Sequence, residues 1–301
     1  MEKGLKFMAY KRKKKNPFKI ILIAALCLCV VVAGFFGAAA LYNIFFSPQQ
    51  PQQEEKGPTM YYNGTEIPIS ENASKNELDP ELFYSENGRI YYNDPDAKYG
   101  IDVSSHQGEI DWAKVAADGI DFAIIRAGYR GYGAEGQINA DEYFEANVKG
   151  ALENGLEVGV YFFSQAITPG EAQEEAQFVL DLIKDYNITY PVIFDWEHII
   201  GVESARTYNY EDFDVSSFAN AFCQKIADAG YDATVYFNPS QGYLIYDIDE
   251  ISQHQFWLAQ YSSHPDFYYG FSIWQYTNAG TVDGVATNVD INISFIDCYK
   301  Q

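Results

Sequence analysis

The stretch PVIFDWE, residues 191–197, is an apolar run that ends in two carboxylates. Pro191, Val192, Ile193 and Phe194 read as a buried strand. Asp195 and Glu197 close it, with one aromatic between them. Residues two apart on a strand point to the same face, with Cα atoms roughly 6.5 Å apart. A charge buried without a partner is costly. The pair therefore lies either at a solvated strand end or in a site that uses it.

The neighbouring sequence decides between these. From Tyr99 onward, short apolar runs alternate with helical stretches. GIDVSSH precedes DWAKVAAD, FAIIRAGY precedes NADEYFEANVKGALENG, and LEVGVYFFS precedes TPGEAQEEAQFVLDLIKDY. PVIFDWE itself precedes DVSSFANAFCQKIADAG, and ATVYFNP follows. Such alternation predicts βαβ units and a parallel sheet. Thr168 before Pro169 reads as an N-cap and first-turn pair. Gly155 and Gly230 sit where helices end in a left-handed residue. The last third differs: QFWLAQYS, FSIWQYT and ATNVDINIS read as strands with little room for helices between them. Five βα units followed by three strands predict an α/β fold, a TIM-like barrel whose eight strands run in one direction. The competing architecture is a doubly wound open sheet, which is weakened because no Gly-rich phosphate loop follows any strand.

In a parallel barrel the active site lies at the C-terminal strand ends. Asp102, Asp195, Glu197 and Asp290 are the carboxylates expected there. Arg126, Tyr129, Tyr161, Phe163, Tyr236, Asn238, Gln260, Trp274 and Gln275 are expected to surround them as substrate contacts. Arg126 also reads as a structural ion-pair partner, and Tyr161, Phe163 and Trp274 also read as barrel core. Like charges held close raise one another's pKa, so one carboxyl can keep a proton near neutral pH. Glycoside hydrolysis needs that arrangement: a protonated acid for the leaving oxygen and a second carboxylate for the developing positive charge.

The chain has 301 residues, with 20 Lys+Arg against 42 Asp+Glu and a net charge of -22. Eight of the basic residues and one acidic residue fall within the first 20 positions, so the remainder carries a net charge of −29. A body this acidic is a poor partner for nucleic acid, whose affinity comes from Lys and Arg on phosphates. The 25 Tyr and 21 Phe suit both a large core and surfaces that stack on sugar rings.

The basic segment 1–19 contains KRKKK and precedes an uncharged apolar run over 20–46. A run of that length exceeds a signal-peptide core of about 7–15 residues and suffices for a spanning helix. It predicts a single transmembrane anchor with its basic end in the cytoplasm and the bulk of the chain outside. Cleavage after GAAA, giving a secreted protein, is the alternative. Residues 47–98 read as an extracytoplasmic linker or stalk, in which MYYNGTEIPIS and GRIYYND within 60–98 read alternatively as short strands or a lid-like extension, and 99–301 as the barrel. Cys223 and Cys298 read either as one disulfide or as two free thiols. The four His show no metal-ligand spacing, and neither a metal nor a cofactor is expected.

The motifs YGIDVSSHQGEIDW (99–112), FAIIRAGYR (122–130), VGVYFFSQA (158–166), PVIFDWE (191–197) and IWQYT (273–277) occur in an order and spacing that resemble glycoside hydrolase family 25, the Chalaropsis-type lysozymes. The resemblance runs from Tyr99 to Cys298. It implies a (β/α)5(β)3 barrel and hydrolysis of the β-1,4 bond between N-acetylmuramic acid and N-acetylglucosamine in peptidoglycan. It also implies Glu197 as general acid/base, Asp195 as its catalytic partner, and Asp102 and Asp290 completing the acidic cluster. An Asp two residues before the acid resembles sites where the substrate's 2-acetamido group is the nucleophile, which implies retention; an inverting route through activated water is the alternative. Two other functions compete: a non-catalytic peptidoglycan-binding module, and a hydrolase of another N-acetylated glycan such as chitin. A monomer is expected.

Overall fold

The structure, a computed structural model, describes residues 57–298. The basic tail, the apolar run and the start of the expected stalk lie outside the described residues. Among the described residues no helix is long and apolar enough to cross a membrane.

Eight strands close a barrel: β5 (Lys98–Val103), β6 (Phe122–Arg130), β8 (Glu157–Ser164), β9 (Val192–Trp196), β10 (Ala233–Phe237), β11 (Gln255–Ala259), β12 (Ile273–Gly280) and β13 (Val289–Ser294). β5 pairs with both β6 and β13, which shuts the ring, and β7 (Ile138–Ala140) adds to β6 from outside it. The first five barrel strands are followed by helices: α1 (Trp112–Ala117), α2 (Phe144–Glu153), α3 (Pro169–Ile183), α4 (Val215–Asp228), and the short pair α5 (Pro239–Leu244) and α6 (Ile248–Ile251). Local signals act as the sequence suggests. Thr168 Oγ1 accepts the Glu171 N–H at the start of α3, and Gly155 and Gly230 take φ of 80° and 89°.

One expectation fails. The strands do not all run in one direction, because β13 is antiparallel to both β12 and β5. Only residues 281–288 join β12 to β13, and a parallel crossover needs about a dozen residues or more. The chain turns back directly, and the first residues of β13 arrive at the end of the barrel where the other strands finish.

Side chains alternate across the wall. On β9, Val192, Phe194 and Trp196 face outward into the large apolar layer beneath the helices. Ile193 faces inward, where it meets Phe122, Ile124, Tyr190, Trp257 and Ile273. These inner side chains fill the lower barrel, and each large one contributes about 1.5–3 kcal/mol by leaving water. Asp195 and Glu197 continue the inward series of Ile193, above this plug.

Of the alternatives for the segment before the barrel, residues 57–97 take the short strands. This segment is folded against the barrel. It contains two hairpins, β1 (Thr59–Tyr62) with β2 (Thr65–Pro68), and β3 (Phe83–Glu86) with β4 (Arg89–Tyr92). Each turns on an Asn-Gly pair with positive φ, at Asn63-Gly64 and Asn87-Gly88. The reason for docking is the bare outer face of β12 and β13, which carries no helix. Phe83 packs edge-on to Trp274 at 5.4 Å and Tyr92 packs on Phe295 at 5.3 Å. Arg89 ion-pairs with Asp118 and donates to the Thr281 carbonyl at 3.0 Å. Cys223 and Cys298 are free thiols, the former on α4 and buried against β10.

Candidate active site

The mouth of the barrel gathers the four expected carboxylates. Asp102, near the end of β5, is 7% exposed and stands opposite Asp290 of β13. The reversed direction of β13 makes this pairing, since Asp290 is the second residue of its strand and would otherwise lie at the far end. Asp102 Oδ2 accepts from Gln275 Nε2 at 2.9 Å and Asn292 Nδ2 at 2.8 Å. Burial, then the charge of Asp290, pushes Asp102 up to about 8 against the pull of those two amides. Burial pushes Asp290 up to about 6.

Asp195, next to last in β9, is 5% exposed, and its Oδ1 has no hydrogen-bond partner. Burial holds its pKa well above the ordinary carboxylate range, and the charges of Glu197 and Asp102 add to this, while Arg126 opposes it. Glu197 follows just past the strand, half-buried. Burial raises its pKa too, with Asp290 adding to the rise. The mutual influence of the two neighbouring carboxyls raises Asp195 and lowers Glu197. Carboxyls held this way are equipped for acid–base work.

Around them stands a wall of tyrosines joined through Gln275. The Tyr236 and Tyr261 hydroxyls donate to Gln275 Oε1 at 3.3 and 3.0 Å, while Gln275 Nε2 holds Asp102. Tyr161 points to the same interior, where burial raises its hydroxyl pKa and the charges of Asp102, Asp195 and Asp290 add to the rise. Phe163 is paired in register with Asp195, and Tyr129 with Phe163. Tyr129 gains that face through a bulge between Arg126 and Gly128, which resets the alternation of β6. Tyr129 is 37% exposed and Tyr261 54%, so each offers ring surface to a ligand.

Arg126 takes its structural reading. Its Nε donates to Asp141 at 2.8 Å and its terminal nitrogen to Ser105 Oγ at 3.0 Å. Its guanidinium lies 5.5 Å from the Tyr129 ring and reaches Asp195 only as a charge.

Three expected contacts have other partners in the structure. Trp274 is fully buried on the outer face of β12, and its indole N–H donates to the Gln260 carbonyl at 2.8 Å. It cannot stack on a sugar. The Gln260 side chain ties its own loop, bonding Asp266 Oδ1 and accepting the Asp266 N–H at 3.0 Å. Asn238 is the N-cap of α5, accepting the Gln241 N–H at 3.0 Å.

Four residues of the site were not anticipated. Period-two alternation points to Tyr261, two beyond the inward Ala259, and to Asn292, two beyond Asp290. Gln165 and Gln241 reach the backbone beside Glu197 from distant positions, and no local signal marks them.

Residues 101–285 match the family described as Glycosyl hydrolases family 25. Lysozyme M1 of Streptomyces globisporus is 29% identical over 203 residues, which cover 64% of this chain and 66% of that protein. The autolysin LytC of Streptococcus pneumoniae superposes with a TM-score of 0.57 at 24% identity, covering 78% of this chain and 57% of LytC. A family 25 glycosyl hydrolase of Bacillus anthracis superposes with a TM-score of 0.57 at 22% identity, covering 70% of this chain and 95% of that structure. The chain thus spans about two thirds of Lysozyme M1 and little more than half of LytC, and the two structural likenesses speak for the fold. With a barrel of that architecture and a family match over most of it, the chain belongs to glycosyl hydrolase family 25.

Proposed function

We propose that the chain is a muramidase, hydrolysing the β-1,4 bond between N-acetylmuramic acid and N-acetylglucosamine in peptidoglycan. The observation that carries this is the group of four carboxylates at one barrel mouth, all with raised pKa, beside partly exposed tyrosines. A binding module has no use for a buried carboxyl whose Oδ1 has no partner. The name of Lysozyme M1 supports the same substrate.

The chemistry follows from the neighbouring carboxyls Asp195 and Glu197, both with raised pKa. The acetamido N–H of muramic acid donates to Asp195 and favours its ionised form, while Glu197 carries the proton. Glu197 then protonates the leaving glycosidic oxygen as that bond breaks. The acetamido oxygen attacks the anomeric carbon, with Asp195 orienting the group. Water afterwards opens the cyclic intermediate and gives its proton to Glu197, which restores the resting pair. Two displacements at one carbon leave its configuration unchanged. Asp290, pushed up only to about 6, supplies negative charge where positive charge develops at the sugar ring, while Asp102 opposite it keeps its proton. Tyr129, Tyr161, Phe163, Tyr236 and Tyr261 supply the surface along which the glycan lies.

The basic segment 1–19 and the apolar run 20–46 fit a single-pass anchor with the barrel outside the cell, acting as a monomer on the nearby wall. Blotting of membrane and medium fractions tests the anchor, and release into the medium would show cleavage instead. A peptidoglycan zymogram tests the activity. Wild type clears the wall and Glu197→Gln does not; a wild type that leaves the wall intact would end the enzyme reading.

A further inference from the structure

The peptide of Glu197 has an unusual support. β9 ends at Trp196, whose last ladder partner is Ser164 of β8, and on the other side the register with β10 stops at Asp195 and Tyr236. The carbonyls of Trp196 and Glu197 therefore lie beyond the sheet, and buried backbone carbonyls need donors. Two buried glutamines supply them from opposite sides. Gln241 Nε2 donates to the Trp196 carbonyl at 2.9 Å, and Gln165 Nε2 donates to the Glu197 carbonyl.

Each glutamine is itself held at its other end. Gln165, fully buried one residue past β8, accepts the Thr207 hydroxyl on Oε1 at 2.8 Å. Thr207 is fully buried in the long segment after β9, and its hydroxyl oxygen accepts the Ile199 N–H at 3.4 Å. Gln165 Nε2 also donates to the Ser164 carbonyl at 3.0 Å. Gln241, 4% exposed, accepts the Asn238 N–H at 3.1 Å within the capping box of α5. Both amides thus bridge the Glu197 peptide to a separate loop, and neither touches a carboxylate of the site.

We infer that Gln165 and Gln241 are positioning residues that hold the Glu197 peptide from two sides and so fix the direction in which its carboxyl points. A glutamate one residue past a strand end has no ladder to set its backbone, yet an acid must meet the leaving oxygen within hydrogen-bonding reach. The two amides replace the missing ladder. Gln165 has a second effect, because through Thr207 it couples the orientation of Glu197 to the segment that follows it. This inference rests on Glu197 being the acid.

The test is a kinetic panel of the full-length protein on soluble, uncrosslinked glycan strands. It comprises wild type, Glu197→Gln, Gln165→Met, Gln241→Met and Gln165→Glu. Misplacement of a catalytic group by about 1 Å costs on the order of 100-fold in rate. The two methionine variants are expected to lose about 10- to 100-fold in kcat with KM within about twofold. Gln165→Glu behaves like Gln165→Met near neutral pH. It regains rate relative to wild type as the pH falls, because its protonated carboxyl can again donate to the Glu197 carbonyl. That recovery is read within one protein and survives any loss of folded fraction in the methionine variants. Wild-type kcat in both methionine variants, beside an inactive Glu197→Gln, overturns the inference alone. So does a kcat loss that only follows the unfolded fraction seen by circular dichroism, with no acid recovery in Gln165→Glu. An active Glu197→Gln instead overturns the assignment of the acid, and this inference with it.

Discussion

Replacing Asp102 with Asn should stabilise the protein, and by an amount that depends on pH. Asp102 is buried opposite Asp290, and its pKa is raised from 3.8 to about 8. Up to about pH 8 the folded state keeps the Asp102 proton, whereas the unfolded chain gives it up near the ordinary value. The stability tied to that proton is full below the unfolded pKa and is lost as pH rises through the folded one. Each pKa unit is worth about 1.4 kcal/mol, so a shift of about four units sets a ceiling of about 6 kcal/mol. Asp290 faces Asp102 and titrates with it, which brings the expected gain to about 2–4 kcal/mol at pH 8. Asn keeps the shape, and its carbonyl oxygen can accept from both Gln275 and Asn292 as Oδ2 does. Urea unfolding of both proteins between pH 4 and 8 is the assay. The curves should start together at pH 4 and separate as pH rises, with Asp102→Asn the more stable and the less active. A stability difference that stays constant from pH 4 to 8 would refute the buried, proton-holding cluster.

Other outcomes follow from the same geometry. Trp274→Phe removes the indole bond to the Gln260 carbonyl and should cost about 1–2 kcal/mol of stability while leaving KM unchanged; a raised KM at unchanged Tm would return Trp274 to the substrate. Phe83→Ala removes the hairpin's contacts with Trp274 and Phe295 and should cost about 2–3 kcal/mol with an unaltered pH–rate profile. An altered profile would mean that the segment before the barrel reaches the mouth. Activity should fall as pH rises past the point where Glu197 loses its proton, because its raised pKa is that of a group that works protonated. A rate that climbs steadily with pH contradicts this. Proton NMR of the first product should show retained anomeric configuration, and inversion would exclude the acetamido route.

Much of the site was legible because the first five units signal their own strands and helices. Asp102, Asp195 and Glu197 close runs whose apolar residues mark the strand. Asp290 was placed correctly although the strand direction was not. The composition of ATNVDINIS says strand, but only the short return from β12 says which way it runs. Two of the three contacts with other partners share one cause. Trp274 and Gln260 lie near strand ends but on the outward phase, while their neighbours Gln275 and Tyr261 lie on the inward one, so proximity to the mouth was read without phase. The role of residues 57–97 depends on a bare face of β12 and β13 that exists only once the barrel has closed. Gln165 and Gln241 were silent for a similar reason, since their partners lie 32 and 45 residues away.

The central claim, muramidase action through Glu197, is tested most directly by the identity of the new reducing ends. Peptidoglycan digested by wild type and by Glu197→Gln is reduced with borohydride, hydrolysed, and its amino-sugar alcohols separated. The account predicts that wild type yields the alcohol of muramic acid and that Glu197→Gln yields essentially none. Alcohol of glucosamine from wild type, or equal yields from both proteins, would contradict it.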